Sequence, residues 1–373
     1  MTRFAFILHP ISARDVARKY SVAHLLPDRL IEAIIAQMSA QQISRITGIE
    51  SPTGARTEGW FVGCTLTTRQ FIERPERKTV PKVIEAARLA EQLGAEIVGL
   101  GAFTAVVGDG GQQVADAVDV AVTTGNSYTV ATAVEGAVRG AAVMGIEPSG
   151  STAAVMGATG SIGRVCAHLL ADGVRRIVLV GRRKDALERI ARELVDAPAD
   201  VEISLSPAES LPQAQIVVTV TSALDAVIEP HMLSPGAVVC DVARPRDVSV
   251  EVSQERDDVL VIEGGVVRVP GEDADFHFNF GFPPRTAYAC MAETMILALE
   301  GRVEDYSLGK RLTVERVREI SALADRHGFE PAGFRSFERA VDDDAIDRIR
   351  SRAIERGASL GEARSIDGRV LSG

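Results

Sequence analysis

Apolar residues come in short blocks along the first 150 positions, and their spacing switches repeatedly between strand and helix. Arg3 to Leu8 reads as a strand, and Leu26 to Met38 has helical spacing. Gly59 to Leu66 alternates as a strand does. Lys82 to Leu93 is an amphipathic helix that stops at Gly94. Glu96 to Leu100 and Val118 to Val122 are short buried strands, and Tyr128 to Met144 is Ala-rich and helical. Gly145 to Ser151 collects Gly, Pro and Ser, which marks a boundary. Beyond it the rhythm becomes regular. Strands at Thr152–Met156, Arg176–Val180, Val201–Leu205, Ile216–Val220, Ala237–Val242 and Val259–Ile262 alternate with helices at Ser161–Leu170 and Asp185–Leu194. That is the βαβ pattern of a doubly wound parallel sheet. After Gly265 a loop rich in Phe, Gly and Pro runs from Pro270 to Pro284. An apolar helix follows from about Arg285 to Glu300, then a helix over Val314 to Ala324 and a charged tail.

The expected fold class is therefore α/β: a Rossmann-type doubly wound parallel sheet domain, an N-terminal α/β domain and C-terminal helices. The expected segments are 1–150, 151–284, 285–334 and 335–373, the last peripheral or partly disordered.

Composition narrows the function. A net charge of −10 argues against nonspecific nucleic-acid binding, which needs clustered cations. Cys64, Cys166, Cys240 and Cys290 lie far apart, without CxxC spacing, so neither a metal site nor a disulfide framework is expected. Free thiols fit a reducing cytoplasm. The Phe4–Leu8 run is too short for a signal-peptide core, and no stretch is apolar enough for an integral membrane segment.

The chemistry begins at Gly157-Ala158-Thr159-Gly160-Ser161-Ile162-Gly163, between a predicted strand and a predicted helix. In such a loop the first glycine permits the turn, the second admits a pyrophosphate, and the third lets helix and strand close up. A plain tight turn is the competing reading. Sites for NAD place Asp or Glu after the second strand. This chain has Arg182-Arg183-Lys184 there, which suits the 2′-phosphate of NADPH. Thr221 and Ser222 follow the fourth strand of this region, at the ligand edge of the sheet, where they are candidates to line the nicotinamide ribose.

A nucleotide fold does not name a reaction. Cys240 ends a strand at the ligand edge of the sheet. Cys290 lies near the start of the Arg285–Glu300 helix, where Arg285 favours a thiolate, the second turn weakens the helix field, and Glu293 opposes ionisation. Residue physics leaves Cys240 and Cys290 both open. Cys64 and Cys166 read as buried thiols.

Six segments in order carry a resemblance: Gly99-Leu-Gly-Ala-Phe-Thr104, Thr123-Thr-Gly-Asn126, Gly157 to Gly163, Glu263-Gly-Gly-Val-Val267, Ala289-Cys-Met-Ala-Glu293 and Arg326-His-Gly-Phe329. From about Phe4 to Phe329 the chain resembles the long-chain acyl-(acyl-carrier-protein) reductases best known from cyanobacteria. The resemblance implies NADPH-dependent reduction of a fatty acyl thioester, on acyl-carrier protein or CoA, to a fatty aldehyde. It implies Cys290 as the nucleophile that forms an acyl-enzyme, and an aldehyde-consuming partner enzyme. Segment 1–150 then binds substrate, 151–284 binds NADP and 285–334 carries the nucleophile. The loop Asp273 to Pro284 and the tail beyond Phe329 depart from the family pattern, which bears on the acyl site.

Thr124 and Asn126 are candidate substrate contacts and oxyanion donors, although the same loop reads as a helix cap. His277 is a candidate proton donor against a surface histidine, and the Phe276–Phe282 stretch either meets an acyl chain or packs a junction. Arg74, Arg77, Lys78 and Lys82 form a candidate basic patch for an acidic carrier, or a solvated helix face. Two rivals stand: a noncovalent NADP dehydrogenase of a small polar substrate, of shikimate-dehydrogenase type, using Lys82 and Asp109, and a non-catalytic NADP-binding protein.

Overall fold

Parallel strands need crossovers to join them, and the alternation of short apolar runs with helices supplies those crossovers. The structure, a computed structural model, describes residues 1–19, 25–223, 225–279, 281–309 and 312–370, with 17–19 and 359–370 as backbone alone. The chain divides into two compact units, each made of two stretches: 1–128 with 267–330, and 129–266 with 331–373.

The first unit has a five-stranded sheet: β1 (Arg3–Leu8), β2 (Gln41–Glu50), β3 (Arg56–Gly63), β4 (Ile97–Leu100) and β5 (Ala121–Thr123), in the order β2-β3-β1-β4-β5. All but β2 run parallel. Strand β2 is absent from the hydrophobic pattern for a physical reason. Register shifts at Gln42/Ser44 and Ile46/Ile49 break its two-residue period. Its edge is partly covered by the 273–278 loop, where Thr47 N donates to Asp275 O (2.9 Å) and Ser44 Oγ to Phe276 O (2.7 Å). Helices α1 (Ala13–Lys19) and α2 (Asp28–Ile35) follow β1, and α3 (Thr68–Glu73) and α4 (Glu76–Gln92) follow β3. Helix α4 runs straight through Pro81, so it begins earlier than the pattern suggested.

The Ala289–Glu300 helix is apolar nearly all round and almost wholly buried, as a helix laid on β1 and β4 must be. It starts four residues later than the pattern implied. Thr286–Tyr288, β-branched and aromatic, form a short strand first, and Tyr288 is the N-cap.

The second unit holds β6 (Thr152–Met156), β7 (Arg176–Val180), β8 (Asp200–Ser204), β9 (Ile216–Thr219), β10 (Val238–Asp241) and β11 (Leu260–Glu263). Its order is β11-β10-β9-β6-β7-β8, all parallel, which is the Rossmann order. The sequence segments are cut differently here. Residues 129–150 belong to this second unit, because the Asn126–Val143 helix and the 148–150 turn lead directly into β6. Residues 267–330 belong to the first. In the tail, Phe334–Ser336 and Arg339–Val341 form an antiparallel hairpin, and Asp343–Val370 is helical. For the disorder expected of the tail, residues 371–373 lie outside the described residues, as does the expectation for Phe280.

Candidate active site

Because β1, β3, β4 and β5 are parallel, their carboxyl ends share one edge of the first sheet. His9, Cys64, Gly101 and Thr124 emerge there. Cys290 is the second residue of the Ala289–Glu300 helix, in its first turn rather than its second. The free N–H groups of a helix start therefore surround it. A Cβ on Gly101 would stand 3.7 Å from Cys290 Sγ, and one on Gly125 would lie 2.2 Å from Cys290 Cα. Gly125 also has a φ of +73°, so both conformation and space require glycine between β5 and the thiol.

The four thiols differ in access. Cys64, Cys166 and Cys240 are buried and Cys290 is half-buried. Burial pushes the Cys64 and Cys166 thiols up to about 12 and raises that of Cys240 as well.

Glu293 lies one turn beyond Cys290 and is fully buried. Its Oε1 accepts the Thr123 hydroxyl (2.5 Å) and its Oε2 the Tyr128 N–H (2.8 Å). Burial raises its pKa, and hydrogen bonds from Thr123, Tyr128, Ser307 and Gly125 act in the opposite sense. The carboxyl group thus ties the 123–128 turn to the helix that carries the sulfur. Ser307, with a left-handed φ of 53°, completes the tie. Its carbonyl accepts the Thr124 hydroxyl (2.5 Å), and its Oγ accepts from Ser127 N (3.2 Å) and lies 2.6 Å from Ser127 Oγ.

These bonds sort the predicted substrate contacts. Thr124 is buried, and its hydroxyl donates to Ser307. Asn126, the first residue of its helix, is half-buried. His277 is exposed, its Nδ1 3.0 Å from Arg45 O and its Nε2 3.6 Å from Asp275. Phe276 packs on Phe61, with ring centroids 5.9 Å apart, and Phe282 on Tyr288 at 4.7 Å. Lys82 donates to Met38 O (2.8 Å) and Glu85 (3.1 Å).

His9 escaped the sequence reading, although it directly follows β1. Its ring meets both Phe71 (5.1 Å) and Phe103 (6.3 Å) edge-on, beside the stack those two rings form. Nε2 accepts from Phe103 N (3.3 Å) while Nδ1 lies 3.1 Å from Pro10 O, so the neutral Nδ1–H tautomer satisfies both. Burial lowers its pKa from 6.5 to about 4. The unfolded chain therefore takes up this proton first. Stability from His9 is complete above pH 6.5 and lost as pH falls through 4, by no more than about 3 kcal/mol. Unfolding free energies of wild type and His9→Gln, measured from pH 7 to 4, should converge as the pH falls. Parallel curves would refute this.

In the second unit the phosphate-loop residues come together at the start of the Ser161–Ala171 helix. Gly157 and Ala158 N–H groups both donate to Val180 O (3.0 and 3.2 Å), fixing the loop beside β7. Gly157 has a φ of +76°, and a Cβ on Gly163 would strike Gly157 O at 2.3 Å. Thr159 and Gly160 are exposed, Ser161 and Ile162 half-buried, Ala158 buried, and Gly160 caps the helix with no side chain. Open N–H groups in a glycine cradle fit a pyrophosphate. Arg182 and Arg183 follow β7 and are exposed, and Arg182 has no ion pair among the described residues. Thr221 is committed elsewhere. Its N–H and hydroxyl donate to buried Asp247 (2.9 and 2.5 Å), which also accepts the Thr219 hydroxyl. Ser222 is exposed. Nearby, burial raises the Asp241 carboxyl to about 6, and it accepts from Ala243 N and Val248 N (3.0 and 3.1 Å). Nothing in the local sequence marks Asp247, which is a loop residue six positions beyond β10.

Among the described residues, no group of three His, Cys, Asp or Glu side chains is placed to hold a metal, and no helix is long and apolar enough to cross a membrane.

The long-chain acyl-(acyl-carrier-protein) reductase of Synechococcus elongatus is 30% identical to this chain over 335 residues, covering 86% of this chain and 95% of that enzyme. The chain belongs to that reductase's family. The aminotransferase PigE of a Serratia species is 31% identical over 355 residues, 91% of this chain. This chain spans 41% of PigE's length. The family model for shikimate / quinate 5-dehydrogenase matches residues 142–263, which lie within the second unit. The L-tryptophan dehydrogenase of Nostoc punctiforme superposes with a TM-score of 0.41 at 14% identity, covering 96% of this chain and 89% of that one. This member of the reductase family is an NAD(P)-dependent oxidoreductase.

Proposed function

We propose that this chain reduces a long-chain fatty acyl thioester, on a carrier protein or CoA, to the fatty aldehyde with NADPH. The observation that carries the reading is the thiol of Cys290, half-buried in the first turn of a helix at the sheet edge, while the other three cysteines are buried. Cys290 thiolate attacks the thioester carbonyl, a new C–S bond forms, and the carrier thiolate departs and takes up a proton. When bound, NADPH supplies a hydride to the carbonyl of the Cys290 acyl thioester. Collapse of the oxyanion then breaks the C–S bond, releases the aldehyde and returns the Cys290 thiolate. Backbone N–H groups of the first helical turn and the half-buried Asn126 are the donors offered for that oxyanion. Thr124 is not, because its hydroxyl is already used. Cytoplasmic placement and an enzyme that consumes the aldehyde belong to the same reading.

Gly157, Ala158, Thr159, Gly160, Ser161, Ile162 and Gly163 would hold the pyrophosphate, and Arg182 with Arg183 the 2′-phosphate. Arg182→Ala with Arg183→Ala should raise KM for NADPH about ten-fold or more and leave KM for NADH within about two-fold. Equal changes for the two cofactors would remove the phosphate argument.

A second reading, a noncovalent dehydrogenase, draws on the shikimate-type match to the nucleotide region. Its candidate base, Lys82, has its ammonium engaged by Met38 O and Glu85. The deciding assay supplies acyl thioester and NADPH and identifies aldehyde directly. Without NADPH, peptide mass spectrometry should find the acyl group on Cys290. NADPH oxidation with a polar ketone but never with a thioester would favour the second reading.

A further inference from the structure

We propose that the outer face of α2, α3 and the start of α4 docks an acidic carrier protein that presents the acyl thioester. This rests on the reductase reading. It goes further by naming a surface and one class of partner.

The chain as a whole carries a charge of −10, yet Arg69 to Lys82 holds five cations against two carboxylates. Two of the five are spent within the fold: Arg69 on Glu32, and Lys82 on Met38 O and Glu85. Arg74, Arg77 and Lys78 have no ion pair among the described residues, and neither does Arg29 on α2. Asp28, Glu73 and Glu76 face solvent from the same elements and leave the cations in excess.

The same region also exposes apolar side chains. Leu30 and Ile34 are one turn apart on α2 and each 47% exposed, and Ile72 on α3 is 41% exposed. Exposed apolar side chains on elements with an excess of cations are more typical of a protein interface than of ordinary surface. The face is also rigid. Buried Glu32 of α2 accepts the Thr67 hydroxyl (3.0 Å) and Arg69 Nε (3.2 Å), and its backbone carbonyl accepts from Gln70 Nε2 (2.9 Å). Both helices are thereby fixed to each other, so little ordering is left to be done on binding.

Its place in the fold connects it with the thiol. α3 follows the carboxyl end of β3, on the edge from which Gly101 and Cys290 are reached, and α2 is tied to α3 through Glu32. From α3, Phe71 stacks on Phe103, centroids 6.4 Å apart and planes within 19°. Phe103 lies two residues beyond Gly101, beside Cys290 Sγ. A carrier seated on this face would therefore meet the nucleophile's side of the sheet through the Phe71–Phe103 stack. Free CoA thioesters lack the folded acidic surface that this face would recognise.

The test compares an acyl-carrier protein with an acyl-CoA of the same chain length, using wild type and Arg77→Glu with Lys78→Glu. The expected result is a KM for the carrier substrate raised about ten-fold or more, with kcat and all acyl-CoA kinetics unchanged. Binding of fluorescently labelled carrier, followed by anisotropy, should weaken by a similar factor in that variant and in Leu30→Ser with Ile34→Ser. Unaltered carrier binding and KM would overturn the docking proposal and leave the reductase reading intact. Normal carrier binding without aldehyde from either thioester would overturn the reductase reading alone. Loss of binding to phosphatidylcholine–phosphatidylglycerol vesicles, with carrier binding unchanged, would make the face a lipid surface and overturn the proposal.

Discussion

Cys290→Ala should lower thioester reduction on the order of 1,000-fold or more, because the acyl-enzyme cannot form without the sulfur. NADPH binding should stay within about two-fold of wild type, since the cradle at Gly157–Gly163 lies on different elements. The midpoint of thermal unfolding should hardly move, as a half-buried thiol fills little of the core. Stopped-flow measurement of the carrier thiol released in the first turnover isolates the step. Wild type should show a burst without NADPH, and the variant none. Full reductase activity in Cys290→Ala would end the covalent mechanism, and Cys240 does not replace it. That thiol is fully buried and raised in pKa by its burial.

The second large effect belongs to a residue with no side chain. Gly125→Ala forces a left-handed residue to carry a Cβ, at a cost of about 1–2 kcal/mol. The new carbon would also lie 2.2 Å from Cys290 Cα and 2.4 Å from Cys290 Cβ. Relieving that overlap costs roughly 1–3 kcal/mol more and displaces the helix start that positions the sulfur. Activity should fall on the order of 100-fold even in the folded fraction, since misplacement of about 1 Å costs that much. Thermal unfolding and kcat, measured together, check the two parts. A variant with unchanged kcat would show that the turn does not position the thiol.

The strength of a pattern decided how much could be read from the chain. The parallel sheet from Thr152 to Glu263 was legible because most of its strands are short apolar runs, and three of the six are fully buried. The phosphate loop was legible because glycine spacing is local. Strand β2 was hidden by its bulges, and the start of the Cys290 helix by the apolar residues on both sides of it. The choice between Cys240 and Cys290 was beyond residue physics, since neither depth nor helix phase is written in one position. The grip of Glu293 on Thr123 and Tyr128, 170 and 165 residues away, depends on long-range folding that no window contains. The same holds for Thr221, whose N–H and hydroxyl donate to Asp247, 26 residues away.

Three sulfurs sealed in the interior give the folded protein a practical simplicity. Toward a water-soluble maleimide or a mild oxidant it presents one reactive address, Cys290, without any cysteine having been engineered away. A dye placed there would report directly on occupancy by an acyl chain. The same property makes oxidant exposure a hazard at the one sulfur on which the proposed chemistry depends.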